Sequence, residues 1–283
     1  MTFTTTRRDR PALSILRPLF AAALVLVLTA VAAQEAKLSP EQQREFLKSA
    51  KVVASRPVGR GVTGSLRLTL SDGTTTHDAG FQSIDDRASD EDRRQGRRRA
   101  GERDFVDSYK YNLAAYELAR TLGVDDMMPV TVMRRWENKD GSLTWWVDDV
   151  LMDEDERVKS KTQPPAALAF QRERMRMFVF AELAGDVDRN RGNILYTKDW
   201  RVIMIDFTRA FRLHRNVRVP TTLSTIDRRL WERLPSLTSD DVTRAVGANL
   251  TAEEVASLMA RRDAITAHYA RLISEKGERA VIY

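Results

Sequence analysis

The hydrophobic period of this chain changes near its middle, and that change limits the folds open to it. In the first half, Leu66, Leu68 and Leu70 alternate with polar residues, the spacing of a strand with one buried face. Ser71-Asp72-Gly73 supplies a turn, so residues 65–85 read as a hairpin whose second strand ends near Ile84. A second hairpin is expected over 130–152, with its turn at Lys139-Asp140-Gly141. Between them, residues 105–124 form an amphipathic helix, capped by Asp107 or Ser108 and stopped at Gly123. After a short connector at 147–152 the spacing becomes helical. Residues 164–186, 227–234, 240–246 and 252–275 read as helices, the last with a Thr251/Glu254 capping box and Gly277 at its end. The expectation is an α+β fold of two lobes: a small β-rich lobe with one inserted helix, then a larger α-helical lobe. Ligands tend to sit in the cleft between such lobes.

Ser39-Pro40-Glu41-Gln42 starts a further helix, with Ser39 as N-cap, that is expected to run to about Val53. Residues 87–104 mix charges of both signs without a large apolar side chain and read as an exposed, mobile loop.

The N-terminus has Arg7, Arg8, Arg10 and Arg17, then an apolar run from Leu19 to Ala33 closed by small residues. That is signal-peptide anatomy, shorter than the roughly 20 apolar residues of a membrane span. The expected division is a signal at 1–33, a first lobe at 34–150 and a second at 151–283. The protein is then exported, periplasmic or secreted, with an uncleaved N-terminal anchor as the alternative. No second apolar run follows, so the mature part is expected to have no span. Removing residues 1–33 takes away four Arg and one Asp, which lowers the formal charge from +6 to +3. That balance gives no reason to expect nucleic acid as a partner. With no Cys and three scattered His, thiolate chemistry and a structural zinc site are excluded or disfavoured.

Chemistry concentrates in "DVDRNRGNILYTKDWRVIMIDFTRAF", residues 186–211. "ILYT" and "RVIMID" are expected to pair around Lys198-Asp199, which brings Asn193 and Asp206 to one end of the hairpin. A carboxylate and an amide there suit a hard divalent cation. Asp188, in the loop ahead of Asn193, is placed to orient an acceptor hydroxyl. Phosphoryl transfer needs those parts and little else from a protein. The bland alternative is an Asx-rich turn before a buried hairpin.

"DRNRGN" resembles the D-x-x-x-x-N catalytic loop of the protein-kinase-like superfamily. It is most similar to the D-R-H-x-x-N form of phosphoinositide kinases and HipA-type toxin kinases, with Asn190 in place of the His. The secretory-pathway kinases of animals are a third relative in this style. "IDFTRAF" resembles their D-F-G segment, with Thr208 where Gly is usual. The resemblance spans residues 57–215 and implies ATP with Mg²⁺ or Mn²⁺, Asp188 as the acceptor-orienting base, and Asn193 and Asp206 as metal ligands. Gly59, Gly61 and Gly64 form a GxGxxG that is expected to follow a helix and open a hairpin, the context of a kinase glycine loop.

Two positions depart from that family. Gln82 stands where the strand Lys is expected, and Asn112 where its helix Glu partner is expected. A neutral amide pair cannot neutralise phosphate. Lys110 is a substitute cation from the helix. The leading expectation is a kinase-like phosphotransferase with a nucleotide and an unidentified hydroxyl-bearing acceptor as partners. The alternative is a pseudokinase, a binding module without catalysis.

Overall fold

The computed structural model describes residues 1–4, 38–59, 64–89, 91, 94–95 and 104–283. Residues 5–33 of the signal-like segment, Gly61 and much of the charged 87–104 stretch lie outside them. The chain divides into two units, Met1–Lys37 and Leu38–Tyr283, and the second carries everything below.

Helix α1 (Pro40–Ser49) has the expected capping box between Ser39 and Gln42. It stops at Ser49 rather than near Val53, and Lys51–Pro57 is strand β1. The β-branched pair Val52-Val53 favours that strand. Its exposed edge position and a bulge between Val52 and Ala54 remove the alternation that would announce it. The glycine-rich segment therefore follows a strand, not a helix. It lies between β1 and β2, where Val58 N–H donates to Ser65 O at 2.9 Å.

Strands β2 (Leu66–Ser71) and β3 (Thr76–Gln82) form the expected first hairpin. Asp72 Oδ1 accepts from the amides of Thr74 and Thr75 at 2.9 and 2.8 Å. Two short strands then depart from expectation. Strand β4 (Asp85–Arg87) pairs with β5 (Val106–Ser108), whose residues had read as the start of a helix. Helix α2 (Tyr109–Leu122) begins only after Ser108, which caps it, and ends at Gly123 with φ +68°.

Strands β6 (Thr131–Trp136) and β7 (Lys139–Trp145) form the second hairpin, but Lys139-Asp140-Gly141 lies within β7. The turn is Glu137-Asn138, with φ +46° and +62°, the pair of positive values a tight hairpin turn requires. Gly141 serves close approach instead: a Cβ there would meet Gln82 O at 2.5 Å and the Phe81 ring at 2.7 Å. These strands make one antiparallel sheet in the order β1-β2-β3-β7-β6. It buries Leu68, Leu70, Ala79, Phe81 and Leu143, while α2 packs on β6 and β7 with Leu113, Ala114 and Leu118 buried.

From residue 150 onward helices dominate. Strand β8 (Val150–Asp153) leads into α3 (Glu154–Ser160) and α4 (Ala167–Ala184). Strands β9 (Ile194–Thr197) and β10 (Val202–Met204) join β8 in a three-stranded sheet of order β10-β9-β8. Then come α5 (Arg228–Arg233), α6 (Ser239–Val246), α7 (Ala252–Lys276) and α8 (Glu278–Val281). Met177, Phe180, Leu183, Leu230, Leu258 and Tyr269 fill this half's core. Among the described residues, no helix is long and apolar enough to cross a membrane.

Candidate functional site

The β9–β10 hairpin sets the geometry. Its register pairs Met204 with Ile194, and Ile205 N–H extends it by donating to Asn193 O at 3.1 Å. Buried Ile194, Tyr196, Val202 and Met204 fix that register, since a one-residue slip would expose them. Asn193 and Asp206 therefore flank one end of the hairpin, as their spacing predicts.

The loop before β9 is held by a buried pair. Asp186 accepts from Asp188 N–H at 3.0 Å and from Arg189 Nε at 2.7 Å. Arg189 also donates to Asn193 O at 3.0 Å and Ile205 O at 2.5 Å, and its guanidinium lies 4.1 Å over the Phe207 ring. One side chain thus clasps the loop to both strands. Asn193 Nδ2 donates to Asp188 O at 3.1 Å, which leaves Oδ1 as the atom a cation can use. Asp206 sits at φ +55°, a left-handed conformation that costs a non-glycine residue about 1 kcal/mol. Its Oδ1 accepts from Thr208 N–H at 3.3 Å and Thr208 Oγ1 at 2.9 Å. Backbone strain of this kind gathers where a side chain must be aimed.

Asp188, Asn193, Asp206 and Thr208 line a cavity of about 1070 Å³ together with Gly59, Gln82 and Asn112. Gln82 and Asn112 are in contact: Asn112 Nδ2 donates to Gln82 Oε1 at 2.6 Å and to Ser142 Oγ at 3.1 Å. Asn112 Oδ1 accepts from Phe207 N–H at 2.7 Å, so the amide docks α2 onto the Asp206 segment. Gly59 is at the cavity wall. Gly64, at φ +65°, helps close the turn but is not part of the lining.

Lys110 is the correction. Its ammonium pairs with Asp85 at 2.7 Å, and it does not line the cavity. Ser108 caps the helix two residues earlier, and this phase turns Lys110 toward β4. Glu117 is likewise engaged on the outer face, with Arg44 at 2.7 Å and Arg120 at 2.9 Å. The cavity's cations are Arg56, Arg67 and Arg209. Arg209 approaches Asp188 at 3.9 Å, and Arg67 stacks 4.0 Å over Trp146 at the connector. His214, three residues beyond Phe211, lies outside the lining. Burial and then the charges of Arg261, Arg218 and Arg212 push its pKa down to about 4, so it is neutral.

Sequence reasoning missed Asp107, which it had taken only as a possible helix cap. Asp107 lies in β5, is 6 % exposed, and lines the same cavity. Burial, with the nearby charges of Asp206 and Asp188, holds its carboxyl above the usual carboxylate range, against opposing contributions from Thr208 and Arg209. The signal was a carboxylate in a short apolar–acidic run, Phe105-Val106-Asp107, where a strand would bury it.

Among the described residues, no three His, Cys, Asp or Glu side chains form a preassembled metal cluster. The donors the sequence singled out are hard oxygens: the Asp206 carboxylate and Asn193 Oδ1. That set fits Mg²⁺ or Mn²⁺ completed by phosphate oxygens, not a closed all-protein cage.

No protein-family model matches the sequence, and comparison with curated proteins found no match. Solved structures do match. A hydra Fam20 structure with sugar superposes with a TM-score of 0.62 at 14% identity, covering 88% of this chain and 93% of that one. The Golgi casein kinase with Mn/ADP bound gives 0.61 at 11% identity, covering 86% and 78%. The Helicobacter pylori proinflammatory kinase CtkA gives 0.50 at 9%, covering 81% and 98%. At these identities the likeness establishes the fold: this chain has the bilobal α+β fold of atypical protein-kinase-like structures.

Proposed function

We propose that this protein is a kinase-like phosphotransferase that binds ATP with Mg²⁺ or Mn²⁺ and transfers phosphate to a hydroxyl of a protein, lipid or small molecule. Residues 34–150 would form its first lobe and 151–283 its second, acting after export directed by residues 1–33. The observation that carries the reading is the single cavity that gathers Asp188, Asn193, Asp206, Gln82, Asn112 and the Gly59 turn within this fold. The Golgi casein kinase with Mn/ADP bound shows that a chain of this fold accommodates a divalent ion and a nucleotide.

Each residue has a part. Asp206 and Asn193 Oδ1 would hold the cation, which supplies charge neutralisation at the phosphates. Asp188 would orient the acceptor hydroxyl, with Arg209 beside it. Amides of the glycine-rich segment, residues 59–64, would cover phosphates, as successive backbone N–H groups can. Gln82 and Asn112 would keep α2 in register without adding charge.

That neutral pair also favours the second reading, a pseudokinase that binds nucleotide or a partner without catalysis. Turnover separates the two. The purified protein, given ATP, Mn²⁺ and a panel of hydroxyl acceptors including itself, is expected to transfer the γ-phosphate. Asp188→Asn is expected to lower the rate by a factor of about 100 or more while leaving nucleotide affinity nearly unchanged. Nucleotide binding without transfer to any acceptor would establish the pseudokinase reading.

A further inference from the structure

The cavity holds a buried carboxylate that the phosphotransfer reading does not use. Asp107 Oδ1 is buried and has no hydrogen-bond partner. Its other interactions explain half of the carboxylate at most. Thr208 is its hydrogen-bonding neighbour, and the same hydroxyl donates to Asp206 Oδ1 at 2.9 Å. A hydroxyl has one proton, so it cannot serve both carboxylates at once. The backbone is committed too: Ser108 N–H donates to Thr208 O at 2.8 Å, which locks β5 against the Asp206 segment. Asp107 and Asp206 are thus held on either side of Thr208, and one of their oxygens is left without a donor.

A buried carboxylate oxygen without a donor destabilises a fold, and a second carboxylate nearby adds to the penalty. Isosteric Asn would remove the repulsion between the two carboxylates. The arrangement makes sense when a cation joins it. A cation there would also supply positive charge that Gln82 does not bring. We infer that Asp107 is a third protein ligand of the divalent cation site, binding Mg²⁺ or Mn²⁺ with Asp206 and Asn193. This inference rests on the metal–nucleotide reading of the cavity and adds a ligand that arrives from the strand before α2. It also gives Thr208, which stands where the family has glycine, a part: the side chain lies between the two carboxylates and donates to Asp206.

The test is Mn²⁺ binding by the full chain with ADP present, read from the resonance signal of free Mn²⁺, together with thermal melting without metal. Loss of supporting groups around a metal lowers affinity 10–100-fold, so loss of a direct ligand should cost at least roughly tenfold. Asp107→Asn is therefore expected to weaken Mn²⁺ at least tenfold and to melt at a higher temperature than wild type when metal-free. Asp107→Glu, which keeps a carboxylate, is expected to recover part of the Mn²⁺ affinity. Asp206→Ala is expected to lose Mn²⁺ altogether. Wild-type Mn²⁺ affinity in Asp107→Asn, with Asp206→Ala defective, would overturn the third ligand and leave the site reading intact. A metal-free Asp107→Asn that melts below wild type would overturn it as well, by making Asp107 a structural residue. No Mn²⁺ binding by the wild-type chain would overturn both.

Discussion

Arg189 shows how much one side chain decides. Its guanidinium satisfies Asp186, the carbonyls of Asn193 and Ile205 that flank β9 and β10, and the face of Phe207, with 8 % of the side chain exposed. Only a planar fork reaches all of these together. Lysine would leave Asp186 buried with one point contact. Arg189→Lys is therefore expected to lower stability by about 3 kcal/mol in urea unfolding, the range seen when a buried pair is broken. Arg191→Lys, two residues away and exposed, is expected to stay within about 0.5 kcal/mol of wild type. At this scale Asp188, Asn193 and Asp206 were legible because their spacing around a hairpin carries geometry by itself. Lys110 and Asp107 were not. Helix phase decided the first, and a strand too short to show alternation concealed the second.

The elements repeat that lesson. Capping boxes at Ser39, Thr238 and Thr251 stand in the structure as local chemistry dictates. Alternation over Leu66–Leu70 located β2. What alternation could not reveal was β1, an exposed edge strand, or the true turn at Glu137-Asn138. Gly141 looked like a turn residue, yet its role depends on Phe81 and Gln82, about sixty positions earlier in the chain. Elements are also joined by single side chains. Glu254, buried in the first turn of α7, accepts from Arg87 at 2.9 Å, from Thr251 N–H at 2.7 Å, and from the Tyr111 hydroxyl of α2. It thereby ties α2, which carries Asn112, to the long C-terminal helix. Glu254→Ala is expected to lower stability by about 3 kcal/mol in urea unfolding, combining a lost cap with the loss of the buried partner of Arg87 and Tyr111. Because α2 docks on Phe207 through Asn112, the same variant is also expected to weaken nucleotide binding.

At the scale of the molecule, a strand-rich half and a helix-rich half both line the candidate-site cavity and both supply its polar groups. The Gly59 turn, Gln82, Asp107 and Asn112 come from the first; Asp188, Asn193 and Asp206 come from the second. The order of the two halves was legible as a change of period. That these residues share one wall was not, because it depends on how the halves meet. A ligand bridging them stabilises the folded state alone and raises its melting temperature, by about 2.7 kcal/mol of stabilisation at a hundredfold excess over Kd. The most direct measurement is therefore thermal melting of the purified protein with and without ATP plus Mg²⁺ or Mn²⁺, beside Asp206→Ala. The account predicts a rise that needs nucleotide and metal together and is absent in the variant. No rise in the wild-type protein, or an equal rise in Asp206→Ala, would contradict it.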